Sequence, residues 1–228
     1  MAATLCASLA VLAEPSAAAT PEAFSCRDLP RLRSTPQVLV TVLAGTPAIV
    51  RAPPVIRRPP IVLWHGYGAP GSEAELMQAL PLDDVPALKV YLGLPLFGAR
   101  APGPGAPSVA ARQQADFAGQ LFAPAVLGAA DELPAVTAAL RAAGCLAPHE
   151  EIGIFGFSAG GTAALAALAD RRTPIGVAVA INAPVGLTPT VEALQRATGK
   201  PFDWTPAARA LAARADAIPR AGALAAGR

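Results

Sequence analysis

The stretch Ile152-Gly153-Ile154-Phe155-Gly156-Phe157-Ser158-Ala159-Gly160-Gly161 decides how this chain folds. Ile152 to Phe155 is a brief apolar run of strand type, and Ala159 to Asp170 is mostly Ala and Leu, good helix formers. The serine stands where a strand must reverse into a helix, in the pattern G-x-S-x-G formed by Gly156, Phe157, Ser158, Ala159 and Gly160. So sharp a reversal forces the serine backbone into a strained conformation, and side chains two positions away would collide there. The same turn lifts the Ser158 hydroxyl clear of the sheet, at the positive end of the following helix. Ser158 is therefore the candidate nucleophile.

Working outward, Gln37 to Leu43 and Ala48 to Arg51 read as strands around a turn at Gly45-Thr46-Pro47. Ile61 to Trp64 suits a strand buried on both faces, Lys89 to Leu92 is the next strand, and Ile175 to Ile181 is another buried one. Ser72-Glu73-Ala74-Glu75 has the form of a capping box that opens a helix. Arg112 to Ala143 is a long helical stretch with expected interruptions near Pro124 and Pro134. Pro184 to Trp204 is irregular with one short helix, and Thr205-Pro206 starts a last one. Strands alternating with helices at this spacing predict a doubly wound, mostly parallel α/β sheet.

The run Ile61 to Trp64 leads into His65-Gly66-Tyr67-Gly68, and this motif, followed by the Ser158 elbow, resembles the α/β-hydrolase superfamily. The resemblance covers Gln37 to Thr205. It is nearest to a bacterial secreted branch with H-G-[YF]-G-x-P-G-S before the first helix and G-F-S-A-G at the elbow. Asn182-Ala183-Pro184-Val185 and Phe202-Asp203-Trp204-Thr205 are similar to the region after the sixth strand there. The resemblance implies ester, thioester or amide hydrolysis through an acyl-enzyme on Ser158. It also implies an oxyanion hole built from the N–H of Ala159 and that of Tyr67 or Gly66, with His65 supporting the loop. Tyr67, Phe97, Phe157 and Trp204 are equally readable as the lining of an apolar acyl pocket or as core.

Such a serine needs a base to accept its proton and an acid to orient that base. The order implied by the resemblance is serine, acid, histidine, yet the chain's two histidines, His65 and His149, both precede Ser158. His149 lies before the elbow strand, at its far end, which at ~3.3 Å per residue places it some 20 Å or more from the serine. His65 is at the ligand-binding end of its strand, but its motif assigns it to the oxyanion loop. Asp170 and Asp216 read as a solvated helix face, and Asp203 as a helix-start charge. The expectation is therefore a C-terminally incomplete sheet with an uncovered parallel edge, inactive alone. The alternatives are a non-catalytic binding member of the hydrolase fold, and an enzyme that borrows His65 or a partner's histidine.

The composition is 53% hydrophobic and 15% charged with net charge +2, which excludes a nucleic-acid footprint. Leu5 to Ala13 is a nine-residue apolar run followed by Ala17-Ala18-Ala19, too short to span a bilayer of about 30 Å. Residues 1–19 thus read as a signal peptide lacking its basic leader, 20–35 as an extension and 36–228 as a partial hydrolase domain. Export or secretion is expected, otherwise a cytoplasmic location. Cys6 does not fit a lipoprotein site. Cys26 and Cys145 remain as a pair, either a disulfide or two buried thiols. No metal-ligand spacing is present and no cofactor is expected. The partner is a small ester-like molecule, with oligomeric state open.

Overall fold

Gln37–Leu43 (β1) and Thr46–Ala52 (β2) pair antiparallel, with Leu43 opposite Thr46. Ala44 and Gly45 both have positive φ, 50° and 83°, as a two-residue hairpin turn requires, so the turn lies one to two residues earlier than the sequence suggests. Pro47 falls inside β2, just before that strand's ladder with its other neighbour begins at Ala48, so its missing N–H breaks nothing there. The computed structural model describes residues 24–27, 29, 35–103 and 105–222, and the signal-peptide reading of 1–19 falls outside them.

Arg58–Trp64 (β3), Ala87–Leu92 (β4), Ile152–Phe157 (β5) and Ile175–Ile181 (β6) complete a six-stranded sheet in the order β1-β2-β4-β3-β5-β6. The β4-β3-β5-β6 block is parallel, and β1 and β2 are joined to it antiparallel. One face packs on Glu73–Ala79 (α1), whose Leu76 meets Ile49, Leu63 and Tyr91. Ser72 Oγ caps α1 by accepting from the Glu75 amide at 3.2 Å, while the Glu75 carboxylate reaches Gly71 N–H rather than that of Ser72.

The other face carries Ala106–Asp116 (α2), a π-helical segment Phe117–Leu127, Gly128–Ala142 (α3), Ala159–Asp170 (α4) and Pro206–Ala215 (α6), with Leu187–Thr198 (α5) before the last. The larger core lies here, around Val62, Trp64, Val90, Phe122, Leu133 and Ala163. The break expected near Pro124 comes instead at Asp116, whose backbone is extended. Pro124 is absorbed into the wider π turn. Helix α3 runs through Pro134 because Leu133, Val136 and Leu140 are buried beneath it, and burial overrides propensity. The run Ala106–Ala142 is long and apolar enough to cross a membrane, but over half of its most apolar window is buried inside the fold.

Three sequence expectations are corrected. β6 is not buried: it is the edge strand, and Val177, Val179 and Ile181 are exposed because no element covers it among the described residues. Asp170 is not on a solvated face, since it joins Arg172, Arg214 and Arg220, and Asp131 joins Arg172 and Arg214. Burial opposes ionisation of Asp170, but the Arg220 and Arg214 guanidiniums together outweigh it and lower its pKa. Asp216 is also engaged, accepting from the amide of Thr188 at 3.0 Å and from its hydroxyl at 2.5 Å, so it caps α5 from a distant part of the chain.

Of the two readings left open for the cysteines, the structure has the bond: Cys26 and Cys145 form a disulfide with Cα atoms 5.1 Å apart at a sequence separation of 119. Cys26 N–H also donates to the Ala143 carbonyl at 2.9 Å, tying the amino-terminal segment to the end of α3. Closing so long a loop restricts the unfolded chain by about 2–5 kcal/mol. The Cys26→Ser/Cys145→Ser double variant should lose stability in that range, read as a drop in the urea midpoint with a somewhat steeper slope, because the unlinked denatured chain exposes more surface. A midpoint unchanged from the oxidised parent would exclude the bond in solution.

Candidate active site

β3 and β5 are parallel neighbours with Trp64 directly beside Gly156, so His65-Gly66-Tyr67 and Phe157-Ser158-Ala159 leave the sheet side by side. Because β3 lies between β4 and β5, these ends form the switch point where open α/β sheets hold ligands. Ser158 adopts φ 53° and ψ −119°, a region that costs a non-glycine residue about 1–3 kcal/mol. Two hydrogen bonds hold it there. Ser158 N–H donates to the Ile181 carbonyl at 3.0 Å, and Gly160 N–H donates to the His65 carbonyl at 3.0 Å.

The glycines follow from close approach. A Cβ on Gly160 would lie 2.4 Å from the His65 carbonyl oxygen, and one on Gly156 2.1 Å from the Gly160 oxygen. On Gly66 it would lie 2.9 Å from Ser158 Cβ and 3.4 Å from Ser158 Oγ, so Gly66 leaves the space in front of the hydroxyl open. Phe157 is half-buried and borders the same gap.

Gly66 cannot serve as an oxyanion donor, because its N–H is given to the Pro70 carbonyl at 3.1 Å and so closes the loop. That loop contains a cis Ala69–Pro70 bond. The amides of Tyr67 and Ala159 donate to no protein acceptor among the described residues. Ala159 opens α4, where first-turn amides have no partner within the helix.

His65 is fully buried and both its nitrogens are occupied. Nε2 accepts from the Leu94 amide at 3.0 Å, so the proton resides on Nδ1, which donates to the Gly66 carbonyl at 2.7 Å. Burial pushes its pKa below the usual imidazole value, against the opposing effects of the Gly66 carbonyl and of Glu73 and Glu75. A ring locked in this tautomer is a brace between β3 and the segment after β4, and it cannot take a proton from Ser158. His149 is exposed, ahead of the amino end of β5, whereas Ser158 follows its carboxyl end. Asp203 is exposed in the loop before α6, and Trp204 packs edge-on to Phe202.

The segment after β4 holds residues that no motif announced. The Tyr67 ring stacks on Phe97 with centroids 4.8 Å apart and planes 9° apart. Leu96, at φ 75°, turns the chain so that Phe97 can reach it. Buried Glu73 accepts from the Ala99 amide at 3.0 Å, and Arg100 binds both the Gly93 carbonyl and Glu132. The Tyr67 hydroxyl is enclosed with no partner among the described residues, and burial raises its pKa. Among the described residues, no group of three or more His, Cys, Asp or Glu is placed to hold a metal ion.

Two measurements check this description. Because the folded-state pKa of His65 is lowered, the unfolded chain binds the extra proton, so stability rises with pH across this window. The contribution is complete above about pH 6.5 and is lost as the pH falls towards the lowered value. His65→Gln should be less stable at pH 8 and show a flatter urea midpoint between pH 7 and 5. A slope identical to the parent's would remove His65 as its source. Tyr67→Phe should be neutral or stabilising by up to about 1 kcal/mol, because it deletes an unsatisfied hydroxyl while retaining the stacked ring. A loss of more than that in thermal unfolding would reveal a partner for the hydroxyl.

No protein-family model matches this chain, and no curated protein matches it. Among solved structures it is similar to TT1662 from Thermus thermophilus, at 22% identity and a TM-score of 0.58, covering 83% of this chain and 71% of that one. It is also matched, at TM-scores of 0.47 and 0.46, with an esterase of the bacterial hormone-sensitive lipase family and with EstE5. Those two are 22% and 23% identical and are matched over 81% and 83% of this chain, which spans only 56% and 60% of their lengths. The sheet order, the strained serine between β5 and α4, and the likeness to the first of these structures together identify the chain as one with the α/β-hydrolase fold.

Proposed function

We propose that Ser158 is the nucleophile of a serine hydrolase that cleaves small-molecule esters through an acyl-enzyme. The observation that carries this reading is Ser158 itself: a strained residue at a strand-to-helix reversal, its Oγ facing the space that Gly66 leaves open. In the proposed reaction Oγ attacks the ester carbonyl carbon, and the carbonyl oxygen becomes an oxyanion that accepts from the N–H groups of Tyr67 and Ala159. The serine proton passes to solvent hydroxide; collapse breaks the C–O bond and expels the alkoxide, which takes a proton from water, and attack of water on the acyl-enzyme then frees the acid and returns a proton to Oγ. Each donor of this kind typically contributes about 10²–10³ in rate.

The serine proton has no imidazole to receive it in the 228-residue polypeptide, because His65 is braced at both nitrogens and His149 lies beyond the other end of β5. Loss of one triad member commonly removes several powers of ten in rate. The polypeptide by itself is therefore read as a slow hydrolase. The braced histidine also favours a second reading, a binding protein on the same fold. Export to an oxidising compartment is proposed as well, supported by the Cys26–Cys145 bond.

A fluorophosphonate probe read by intact mass tests the proposal. Ser158 should label slowly, with a rate that climbs with hydroxide from pH 7 to 9.5 and no plateau near neutrality, and Ser158→Ala should not label. Rapid labelling with a plateau near pH 7 would mean that a base is present after all. No labelling of Ser158 at any pH would leave the binding reading.

A further inference from the structure

Beside the oxyanion loop lies a cavity of about 340 Å³, walled by Tyr67, Leu96 and Phe97 on one side and by Ala106, Val109 and Gln113 of α2 on the other. That volume is at the small end of small-molecule sites, which run from about 300 to 1,000 Å³. Tyr67 belongs to both places. Its amide is the donor assigned above to the ester oxygen, and its ring, stacked on Phe97, is a wall of the cavity. Tyr67 thereby links the proposed oxyanion donor to the cavity wall.

Helix α2 gives the second observation. Ala106, Val109, Ala110 and Gln113 all line the cavity, at the i, i+3, i+4, i+7 spacing of one helix face, yet α2 buries none of its residues. Elsewhere on this side of the sheet, the π-helical segment, α3 and α4 bury theirs in the core. Of this face Val109 is half-buried against the core, while Ala106, Ala110 and Gln113 stay exposed, so α2 closes the cavity on one side without filling it. The helix begins after Gly103 and Gly105, at φ 30° and 70°, and ends at the extended backbone of Asp116.

We infer that this cavity receives the apolar arm of the ester, a linear or aryl group of medium size, with Val109 setting its length. The inference rests on the ester-hydrolase reading of Ser158. At about 30 Å³ per methylene-sized unit and incomplete filling, the cavity takes a chain of about six to eight carbons. Each added methylene should tighten binding by up to about fourfold until the cavity is full. The acyl and alkoxy sides of the ester present the same chemistry here.

The test separates binding from chemistry. In Ser158→Ala, where no ester is consumed, methyl NMR is followed during titration with methyl acetate, methyl hexanoate, hexyl acetate and methyl decanoate. The methyls of Val109 and Leu96 should shift with the six-carbon esters, which should bind at least tenfold tighter than methyl acetate, with little further gain for decanoate. The tighter of methyl hexanoate and hexyl acetate identifies the arm. Val109→Trp should abolish the preference, and Val109→Ala should move it towards longer chains, so a misfolded tryptophan variant does not leave the question open. Affinity indifferent to chain length overturns the proposal, as do shifts at Val177 and Val179 of β6 in place of Val109. Methyl and hexyl fluorophosphonates then report on Ser158 in the parent chain. If the binding ladder holds while Ser158 never labels, the hydrolase reading fails and the cavity stands. If Ser158 labels equally with both probes and the Val109 methyls stay still, the cavity fails and the hydrolase reading stands.

Discussion

The hydrogen bond from Gly160 N–H to the His65 carbonyl joins the ends of β3 and β5, and the site is arranged around it. It forms only because the parallel register sets Trp64 beside Gly156, and because residue 160 has no side chain to strike the His65 oxygen. With this bond in place, Ser158 is confined to a backbone conformation it would otherwise leave, and Gly66 comes so near that a Cβ on it would lie 2.9 Å from Ser158 Cβ. A strained residue persists only where its surroundings over-determine it. Here the Ile181 carbonyl at the end of β6 supplies the second restraint, so the neighbouring strands on both sides of β5 hold the elbow.

His65 shows how one side chain is committed by its neighbours. Its ring spans from the Gly66 carbonyl to the Leu94 amide, linking the oxyanion loop to the segment after β4. That segment in turn places Phe97 under Tyr67, with Glu73 and Arg100 holding its far side. A histidine on the ligand-binding end of a strand is easily taken for a base. Its two hydrogen bonds and its burial make it a neutral structural link instead. The acidic side chains after the elbow follow the same logic, for Asp170 and Asp216 are spent on arginines and on a helix start.

Much of the fold was legible in the sequence because its signals are local. The apolar run before Ser158, the glycines around it and the alanine-rich run after it each restrict the backbone within a few residues. Helix α4 accordingly spans the residues expected, and Thr205 caps α6 through the Ala208 amide at 3.1 Å. The hairpin turn lies one to two residues earlier than expected, whereas Ser72 caps α1 as expected and only the Glu75 carboxylate reaches a different amide, that of Gly71.

What the sequence by itself determined is the alternation of strands and helices and the elbow, because each depends only on residue type and near spacing. Tertiary structure alone decided that the Gly66 amide is consumed by Pro70 and that His65 is braced at both nitrogens. It also decided that Cys26 meets Cys145, that β6 lies at the exposed edge, and that α2 faces a cavity. These are contacts between segments far apart in the chain. Hydrogen bonds, disulfides and burial depend on which distant group arrives, and no local pattern of residues encodes that arrival.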